Sequence, residues 1–377
     1  MAGYWLKKLF ESATGLNDSD TQRIELPNTG QLSAIQLRMF ATRDSNAKDA
    51  ATAAKLLEDQ IDKIEVIAEG SEVIISVNPF ELLALNYYDL GMPPRRIFSD
   101  VASTVNYTDF WILFGRDIGD TQYGLDLEKF RTVNLEVTHS LDTTAKLGFA
   151  TGTLGYEVYL YRWYGDRLPF RGYFKKSQKL SYTAAGSGTV KDLDLPIGKP
   201  YRRILIRAYA TGDRFDEGIT HIELNLNNDE IIPIDMDTDD YKYQLYQIAG
   251  YFFQDYGRTF VVANTADVLT QTLVSDIREV ALTDDTSGAA TTGTLAYHGK
   301  DAEKIKLSET GGSNPCYVDW IVRGYEYAHT LIIPFNIPDE PGNYFNSTAY
   351  KNVRLKMTEN SSSKTPAVTV VLEELVS

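Results

Sequence analysis

The sequence is poor in residues that cross-link a chain or carry it through a membrane. Its 377 residues include one cysteine, Cys316, so no disulfide can form within the chain and stability must come from burial. No apolar run approaches the roughly 20 residues that a membrane-spanning helix needs. Acidic residues outnumber basic ones, 52 against 37, and the resulting net charge of −15 opposes direct contact with nucleic acid.

Sequence motifs of catalysis and cofactor binding are missing as well. The chain has no phosphate-binding loop, no dinucleotide fingerprint, no His-Glu-x-x-His pair and no serine-hydrolase elbow. Its four histidines, His139, His221, His298 and His329, are scattered without metal-ligand spacing. The sequence therefore predicts no catalytic residue, no cofactor and no metal site.

An acidic run has some likeness to the start of a calcium-binding loop. It contains Asp235, Asp237, Asp239 and Asp240 but lacks the glycine and the distal glutamate that such a loop requires. Carboxylates are favourable at the start of a helix, where they meet the positive end of the helix dipole. We therefore interpret this run as a solvated turn before a helix.

What the sequence does contain is a tandem repeat. Residues 24–44 align without a gap with residues 193–213 at an offset of 169, and residues 61–74 align with 219–232 at an offset of 158. Two blocks in the same order, separated by one insertion in the first copy, indicate duplication of a whole unit. The matched pairs include Leu26 with Leu195, Pro27 with Pro196, Ile35 with Ile204, Arg38 with Arg207, Ile64 with Ile222, and Glu65 with Glu223.

Apolar and polar residues alternate within both copies, which predicts strands with one buried face. Ile35, Leu37 and Met39 are one such series. Seven or eight strand candidates per copy, separated by turn-rich loops, indicate antiparallel sandwiches. Helices are predicted over residues 47–60, 80–90 and 241–251, and an exposed loop over residues 284–314.

Residues 1–16 predict an amphipathic helix that has no counterpart before the second copy. Tryptophan beside lysine suits a membrane interface, where an indole lies at headgroup level and an ammonium group meets anionic lipid. The alternative is a helix that packs under its own domain or against a neighbouring subunit. The membrane-contact candidates are Trp5, Leu6, Lys7, Lys8, Leu9 and Phe10.

These features resemble the double jelly-roll major capsid proteins of tailless icosahedral double-stranded DNA viruses, a lineage that includes adenoviruses and membrane-containing bacterial and archaeal viruses. The segments that carry the resemblance are IDKIEVIAEGSEVIISV, WILFGRDIGD with YGLDL, and FKKSQKLSYTAAGSG with LDLP. The resemblance implies an all-β chain of two tandem eight-stranded antiparallel jelly rolls with a few short helices. The expected divisions are an arm at 1–22, a first jelly roll at 23–175 and a second at 176–377.

The resemblance also implies a function without catalysis. It implies a coat protein, made in the host cytoplasm, whose homotrimers form pseudo-hexagonal capsomers of the virion. The implied partners are neighbouring capsomers, minor capsid or penton proteins, and an internal lipid membrane reached by the N-terminal helix, with no direct contact to nucleic acid.

Two other interpretations compete with this one. A β-sandwich that binds carbohydrate, or a glycoside hydrolase, needs an aromatic platform or a pair of carboxylates, and the 52 acidic residues neither support nor exclude such a pair. A spike or minor capsid protein is disfavoured by the even duplication.

Overall fold

The computed structural model describes residues 3–46, 53–261, 268–285, 294–301, 303–310 and 316–377. Strands dominate the described chain, and helices are few and short. The prediction of an all-β protein is therefore confirmed.

The first unit consists of strands β1 to β10. Its elements are β1 (Tyr4–Thr14), β2 (Ser19–Glu25), β3 (Gln31–Thr42), a 3-10 turn (Glu58–Gln60), β4 (Ile61–Ala68), β5 (Glu72–Val77), α1 (Pro79–Leu90), β6 (Arg96–Ile97), β7 (Val105–Leu113), β8 (Leu125–Asp126), a 3-10 turn (Leu127–Lys129), β9 (Val133–Ser140) and β10 (Gly155–Tyr164).

The second unit consists of strands β11 to β25. It begins with β11 (Tyr173–Thr183), β12 (Val190–Leu195), β13 (Pro200–Tyr209), α2 (Phe215–Gly218), β14 (Ile219–Leu226), β15 (Ile231–Asp237), α3 (Thr238–Ala249) and β16 (Phe253–Val261). It continues with β17 (Val268–Gln271), β18 (Val274–Asp285), β19 (Thr294–Asp301), β20 (Lys304–Thr310), β21 (Cys316–Tyr327), β22 (Thr330–Pro334), β23 (Phe345–Asn346), β24 (Val353–Glu359) and β25 (Ala367–Val376), with 3-10 turns at Pro341–Asn343 and Ser347–Ala349.

The two units share one sheet topology. One sheet has the order β2-β9-β4-β5 in the first unit and β12-β24-β14-β15 in the second. The facing sheet has the order β1-β10-β3-β7-β6 in the first unit, and its counterpart in the second contains β11-β25-β13-β22. Strands β16 to β21 are an addition in the second unit and form two three-stranded sheets. The predicted duplication of a whole sandwich is thus seen in the order of its strands.

A helix follows the same hairpin in both units, as expected. In α1 the side chain of Asn78 accepts a hydrogen bond from the backbone N–H of Glu81, and the Glu81 carboxylate accepts one from the N–H of Asn78. This reciprocal capping satisfies two donors that the first turn leaves free. Helices α1 and α3 both end at a left-handed glycine, Gly91 and Gly250, with φ of 67° and 71°, a conformation that glycine adopts without strain.

The units are joined by a continuous sheet. Strand β11 pairs antiparallel with β25 of its own unit and parallel with β5 of the first unit, where Lys176 lies opposite Ile75 and Ser177 opposite Ser76. A nine-stranded sheet therefore runs through both sandwiches. The predicted boundary at 175/176 falls inside β11, and the three domain divisions remain a prediction.

The prediction of an N-terminal helix is wrong. Residues Tyr4–Thr14 form strand β1, which pairs along its whole length with β10. The apolar spacing of this segment fits a helix, but the segment gains backbone hydrogen bonds and aromatic neighbours only in the extended form, and this tertiary contact decides its conformation.

Strand β1 also has a counterpart in the second unit, which the sequence comparison missed. It is β11, which pairs with the last strand of its own sandwich as β1 pairs with β10. The offset is again 169, since Tyr4 matches Tyr173 and Lys7 matches Lys176, and both pairs break register at the same place, after Leu9 and after Gln178.

Two other predictions from the sequence need correction. Of the helix expected over 47–60, residues 47–52 lie outside the described residues, residues 53–57 are irregular, and Glu58–Gln60 is a single 3-10 turn. The loop expected over 284–314 contains the hairpin of β19 and β20, while residues 286–293, 302 and 311–314 lie outside the described residues.

Candidate assembly surfaces

Strand β1 separates the six membrane-contact candidates into two environments. Trp5 and Lys7 face aromatic rings of their own unit: Trp5 lies 5.4 Å from Trp163 and the Lys7 Nζ lies 4.5 Å from the Tyr159 ring. Partial burial of its ammonium group lowers the pKa of Lys7, with the charges of Asp109 and Arg38 acting in opposite directions. These two side chains therefore help to hold β1 on its sheet.

Lys7 is itself exposed, and so are the other four candidates, Leu6, Lys8, Leu9 and Phe10. The exposed fractions of Leu6, Leu9 and Phe10 are 41%, 46% and 38%, high for large apolar side chains. Lys8, Leu9 and Phe10 border a depression of about 340 Å³ beside β10. Exposed apolar side chains grouped on one strand mark a contact surface.

Strand β1 is also an edge strand, and so is β15 of the second unit. In the described residues, β1 pairs with β10 on one side only, and β15 pairs only with β14. Such edges offer rows of backbone donors and acceptors to another strand. Ile231 and Ile232 of β15 add apolar surface, with exposed fractions of 47% and 43%.

A buried group of charges joins the two units. Lys176 of β11 is fully buried and lies 3.6 Å from Asp89 and 3.5 Å from Glu373. Arg202 Nη1 lies 2.8 Å from Asp89 and 3.1 Å from Glu373, and Arg203 pairs with both carboxylates. Burial alone would raise the pKa of Glu373, but the charges of Arg203, Arg202 and Lys176 outweigh it and hold the pKa well below its ordinary range.

A second buried ion group also spans the units. Arg96 of β6 lies 2.9 Å from Glu58 and 2.7 Å from Asp255 of β16. Removing one partner of such a group leaves an uncompensated buried charge, which costs about 3–5 kcal/mol. Sequence reasoning missed both groups because their members come from distant segments. The one available signal was the adjacent pair Arg202-Arg203 in β13, a strand that also contains Arg207.

The three histidines whose side chains the structure describes lie in different environments. His139 and His329 are buried, and the side chain of His298 lies outside the described residues. His221 places its Nδ1 2.8 Å from Asp237 and its Nε2 2.8 Å from Asp235. Partial burial lowers the pKa of His221, but hydrogen bonds to Asp237 and Asp235 outweigh this and raise it.

One group of residues has the donor types of a metal site. Ligand atoms of His221, Glu223 and Asp235 lie within 4.8 Å of one another. Both imidazole nitrogens are however engaged by aspartates, so an ion pair accounts for this arrangement. The acidic run lies on β15 and at the start of α3. The predicted helix follows it, but the predicted turn is wrong, because Asp235 and Asp237 belong to a strand that leads directly into the helix.

A groove of about 540 Å³ lies between the units, lined by β6, β16 and β21. Trp320 contributes to its wall, but only 1% of this residue is exposed and its Nε1 donates to the Thr259 hydroxyl at 3.1 Å. A sugar platform needs an open aromatic face, which Trp320 does not present. The groove therefore does not favour the carbohydrate-binding alternative.

No helix among the described residues is long and apolar enough to cross a membrane. No family model matches the sequence, and no curated protein matches it either.

Solved structures, in contrast, resemble the chain over nearly its whole length. The major capsid protein of Sulfolobus Turreted Icosahedral Virus is 10% identical, with a TM-score of 0.62 over 99% of this chain and 97% of that one. A chain of the PBCV-1 virus capsid is 10% identical, with a TM-score of 0.54 over 100% and 95%. The major capsid protein of bacteriophage PM2 is 12% identical, with a TM-score of 0.50 over 100% and 98%. The chain therefore has the double jelly-roll fold of these viral major capsid proteins.

Proposed function

We propose that this protein is the major capsid protein of an icosahedral virus and acts as a structural component of the virion. The observation that carries the proposal is the match of both sandwiches, in one alignment, to viral major capsid proteins. A match to one sandwich would support only a shared domain. Because the alignments cover nearly all of both chains, the structural likeness includes the arrangement of the two units.

The buried charges support a structural role without catalysis. Lys176, Arg202 and Arg203 pair with Asp89 and Glu373 at the junction of the units, and Arg96 pairs with Glu58 and Asp255. Buried ion pairs between residues of the two units hold the two sandwiches in one orientation. A shell subunit requires such rigidity because its edges must meet its neighbours in a fixed geometry.

The finer assembly is also part of the proposal. Three copies would bring six sandwiches into a pseudo-hexagonal capsomer, which meets neighbouring capsomers and minor or penton proteins. The net charge of −15 favours contact with protein over direct contact with packaged nucleic acid. Synthesis in the host cytoplasm stays a prediction.

Membrane contact by Trp5, Leu6, Lys7, Lys8, Leu9 and Phe10 stays a prediction too. Its original basis was a helical apolar face, and the strand conformation of this segment removes that basis. The remaining support is the exposure of Leu6, Leu9 and Phe10.

Electron microscopy and analytical ultracentrifugation of the purified full chain test the proposal. We expect a stable trimer and hexagonal outlines in projection. A protein that stays monomeric at all concentrations, or that binds a defined glycan strongly on an array, would contradict it.

A further inference from the structure

The contact between the two repeated units within one chain indicates how two copies of the chain can contact each other. Within one chain, β11 of the second unit docks in parallel on β5 of the first unit. Strand β1 is the counterpart of β11, and β15 is the counterpart of β5. Both counterparts have a free edge among the described residues. We propose that β1 of one copy docks in parallel on β15 of a neighbouring copy and so repeats between chains the junction that joins the two units within a chain. The proposal deepens the proposed function, on which it rests, by naming the surfaces through which subunits meet.

The register of this contact follows from the structure. Leu224 of β14 pairs with Ile234 just as Val66 of β4 pairs with Ile75, so Ile234 is the counterpart of Ile75 and Asp235 that of Ser76. The offset on this strand is therefore 159, one more than the sequence alignment indicated, because the turn before β15 is one residue longer. Pro233 then matches the bulge residue Ile74, a position where proline is tolerated.

The residues that this register brings together are complementary. In the chain, Lys176 lies opposite Ile75 and Ser177 opposite Ser76. Transferred to the counterparts, Lys7 lies opposite Ile234 and Lys8 opposite Asp235. The Asp235 side chain is 60% exposed, and Lys8 has no ion pair within the part of the chain that the structure describes, so the contact would pair a free cation with an accessible carboxylate.

Apolar surface is matched in the same way. Tyr173 of β11 donates a hydrogen bond to Glu72 of β5 at 3.1 Å. The counterparts of these residues are Tyr4 and Ile231, which are 60% and 47% exposed. The contact would cover both, together with Leu6 of β1 and Ile232 of β15.

The helix beside each docking strand gives independent support. Tyr87 near the end of α1 is only 7% exposed, because second-unit rings cover it, with Phe253 at 4.8 Å and Tyr327 at 4.9 Å. The matching residue of α3, Tyr246, is 46% exposed, and Ile248, the counterpart of buried Asp89, is 58% exposed. Tyr246 and Ile248 of the second unit thus lack the cover that α1 receives. Phe253 and Tyr327 lie in the added strands β16 and β21 and have no counterpart in the first unit, so a first unit from another copy would cover this surface with other residues.

The contact is heterologous, since two different surfaces meet. Such a contact, repeated, generates a closed ring or an open filament. Because the intrachain junction and the proposed junction alternate around the ring, three copies would present six sandwiches.

Cysteine cross-linking in the full chain tests this register. In a Cys316→Ser background, Lys8→Cys and Asp235→Cys place two thiols on directly opposed strand positions, within the Cα separation that a disulfide permits. We expect covalent oligomers from the double variant and covalent dimers when the two single variants are mixed. Each single variant alone should give none, and a matched pair of Lys129→Cys with Asp235→Cys should give none.

Charge reversal provides a second measurement that does not depend on oxidation. Lys8→Glu or Asp235→Lys alone should weaken association at least tenfold in ultracentrifugation, and the double reversal should restore it. Lys129→Glu should leave association unchanged.

The outcomes separate this contact from the proposed function. A trimer that forms without the Lys8–Asp235 cross-link overturns the contact and leaves the capsid proposal standing, whereas a protein that never associates overturns both. A third experiment uses vesicles of anionic phospholipid. If they bind the wild-type chain but not the Lys8→Glu variant, and the mixed single cysteine variants give no cross-link, β1 contacts a membrane and the proposed contact is overturned.

Discussion

Lys176 and Glu373 lie directly opposite each other on β11 and β25, with 3.5 Å between the ammonium nitrogen and the carboxylate, and both are buried. The counterpart of this pair in the first unit is Lys7 with Tyr161 on β1 and β10. At this strand position the second unit has an ion pair, and the first unit covers it. The first unit has a lysine beside an aromatic ring, and no other unit of the described chain covers that position.

Glu373→Gln should destabilise the fold by about 3 kcal/mol at pH 7, because it leaves the three buried cations Lys176, Arg202 and Arg203 with Asp89 as the one remaining buried carboxylate of this group. Chemical denaturation measures this loss. The control is Glu128→Gln, since the Glu128–Arg167 pair is largely exposed and should change the free energy of unfolding by less than about 1 kcal/mol. Equal effects of the two variants would contradict the assignment.

The same carboxylate predicts an acid sensitivity. The pKa of Glu373 is lowered in the fold, so its contribution to stability is present above its ordinary pKa of 4.5 and is lost as the pH falls below that value. The difference in stability between wild type and Glu373→Gln should therefore shrink below pH 4.5. A difference that stays constant down to pH 3 would disagree with this linkage.

His329 should make folding less favourable in acid. Burial, followed by the charge of Arg207, lowers its pKa to about 3, so the unfolded chain binds the proton more readily. Stability from the neutral imidazole is present above pH 6.5 and falls by up to about 1.4 kcal/mol per pH unit below it. His329→Asn should flatten this decline, and asparagine tolerates the positive φ of 57° at this site. His221→Asn, at a histidine whose pKa is raised, should not flatten it.

Trp5→Ala should cost about 2 kcal/mol, roughly half the loss for a fully buried tryptophan, because Trp5 is half-buried against Trp163 and Phe170. Leu6→Ala on the exposed side of β1 should cost less than about 0.5 kcal/mol in the monomer. Hydrogen exchange of the β1 amides would report the loosening. Protection unchanged by Trp5→Ala would show that these rings do not hold the strand.

Gly257→Ala should destabilise the junction of the units by about 1–3 kcal/mol through overpacking. A Cβ at Gly257 would lie 2.6 Å from the Trp320 ring and 2.7 Å from Phe98, which belongs to the first unit. At Gly342 an added Cβ would meet no atom within 4 Å, so Gly342→Ala is the matched control for thermal unfolding. If Gly257→Ala leaves thermal stability unchanged, the groove wall accommodates the added methyl group without an energetic cost.

Much of the fold was predictable because period-two patterning and repeated segments are local signals. The alternation at Ile35, Leu37 and Met39 predicts a strand with one buried face, and each of these residues is fully buried. Gln36 between them is only 2% exposed, so here the other face of the strand is covered too. The helix after each hairpin was predictable as well, since a residue type that favours helix N-termini precedes it and a glycine follows it. The helix expected at residues 1–16 was wrong because β10 decides its conformation from more than 140 residues away.

The assembly surfaces were less accessible to sequence reasoning. The sequence marked Trp5, Leu6, Lys8 and Phe10 as membrane-contact candidates, which stays a prediction, but a helical wheel placed their side chains on the wrong faces. The equivalence of β1 and β11 was hidden because only four scattered positions of β1 are identical in β11, namely Tyr4, Lys7, Ser12 and Thr14, while Trp5 matches Phe174 and Leu6 matches Lys175.

The sequence by itself determined the all-β class, the duplication and the absence of catalytic motifs, because alternation, repetition and composition depend only on the order of residues. The tertiary structure alone decided that β1 is a strand and that β11 joins the two sandwiches by pairing with β5, where Lys176, Arg202, Asp89 and Glu373 meet. It also decided that β1 and β15 each have a free edge among the residues that the structure describes. Strand pairing and buried ion pairs depend on which distant segments come into contact. Local sequence patterns do not reveal these long-range contacts.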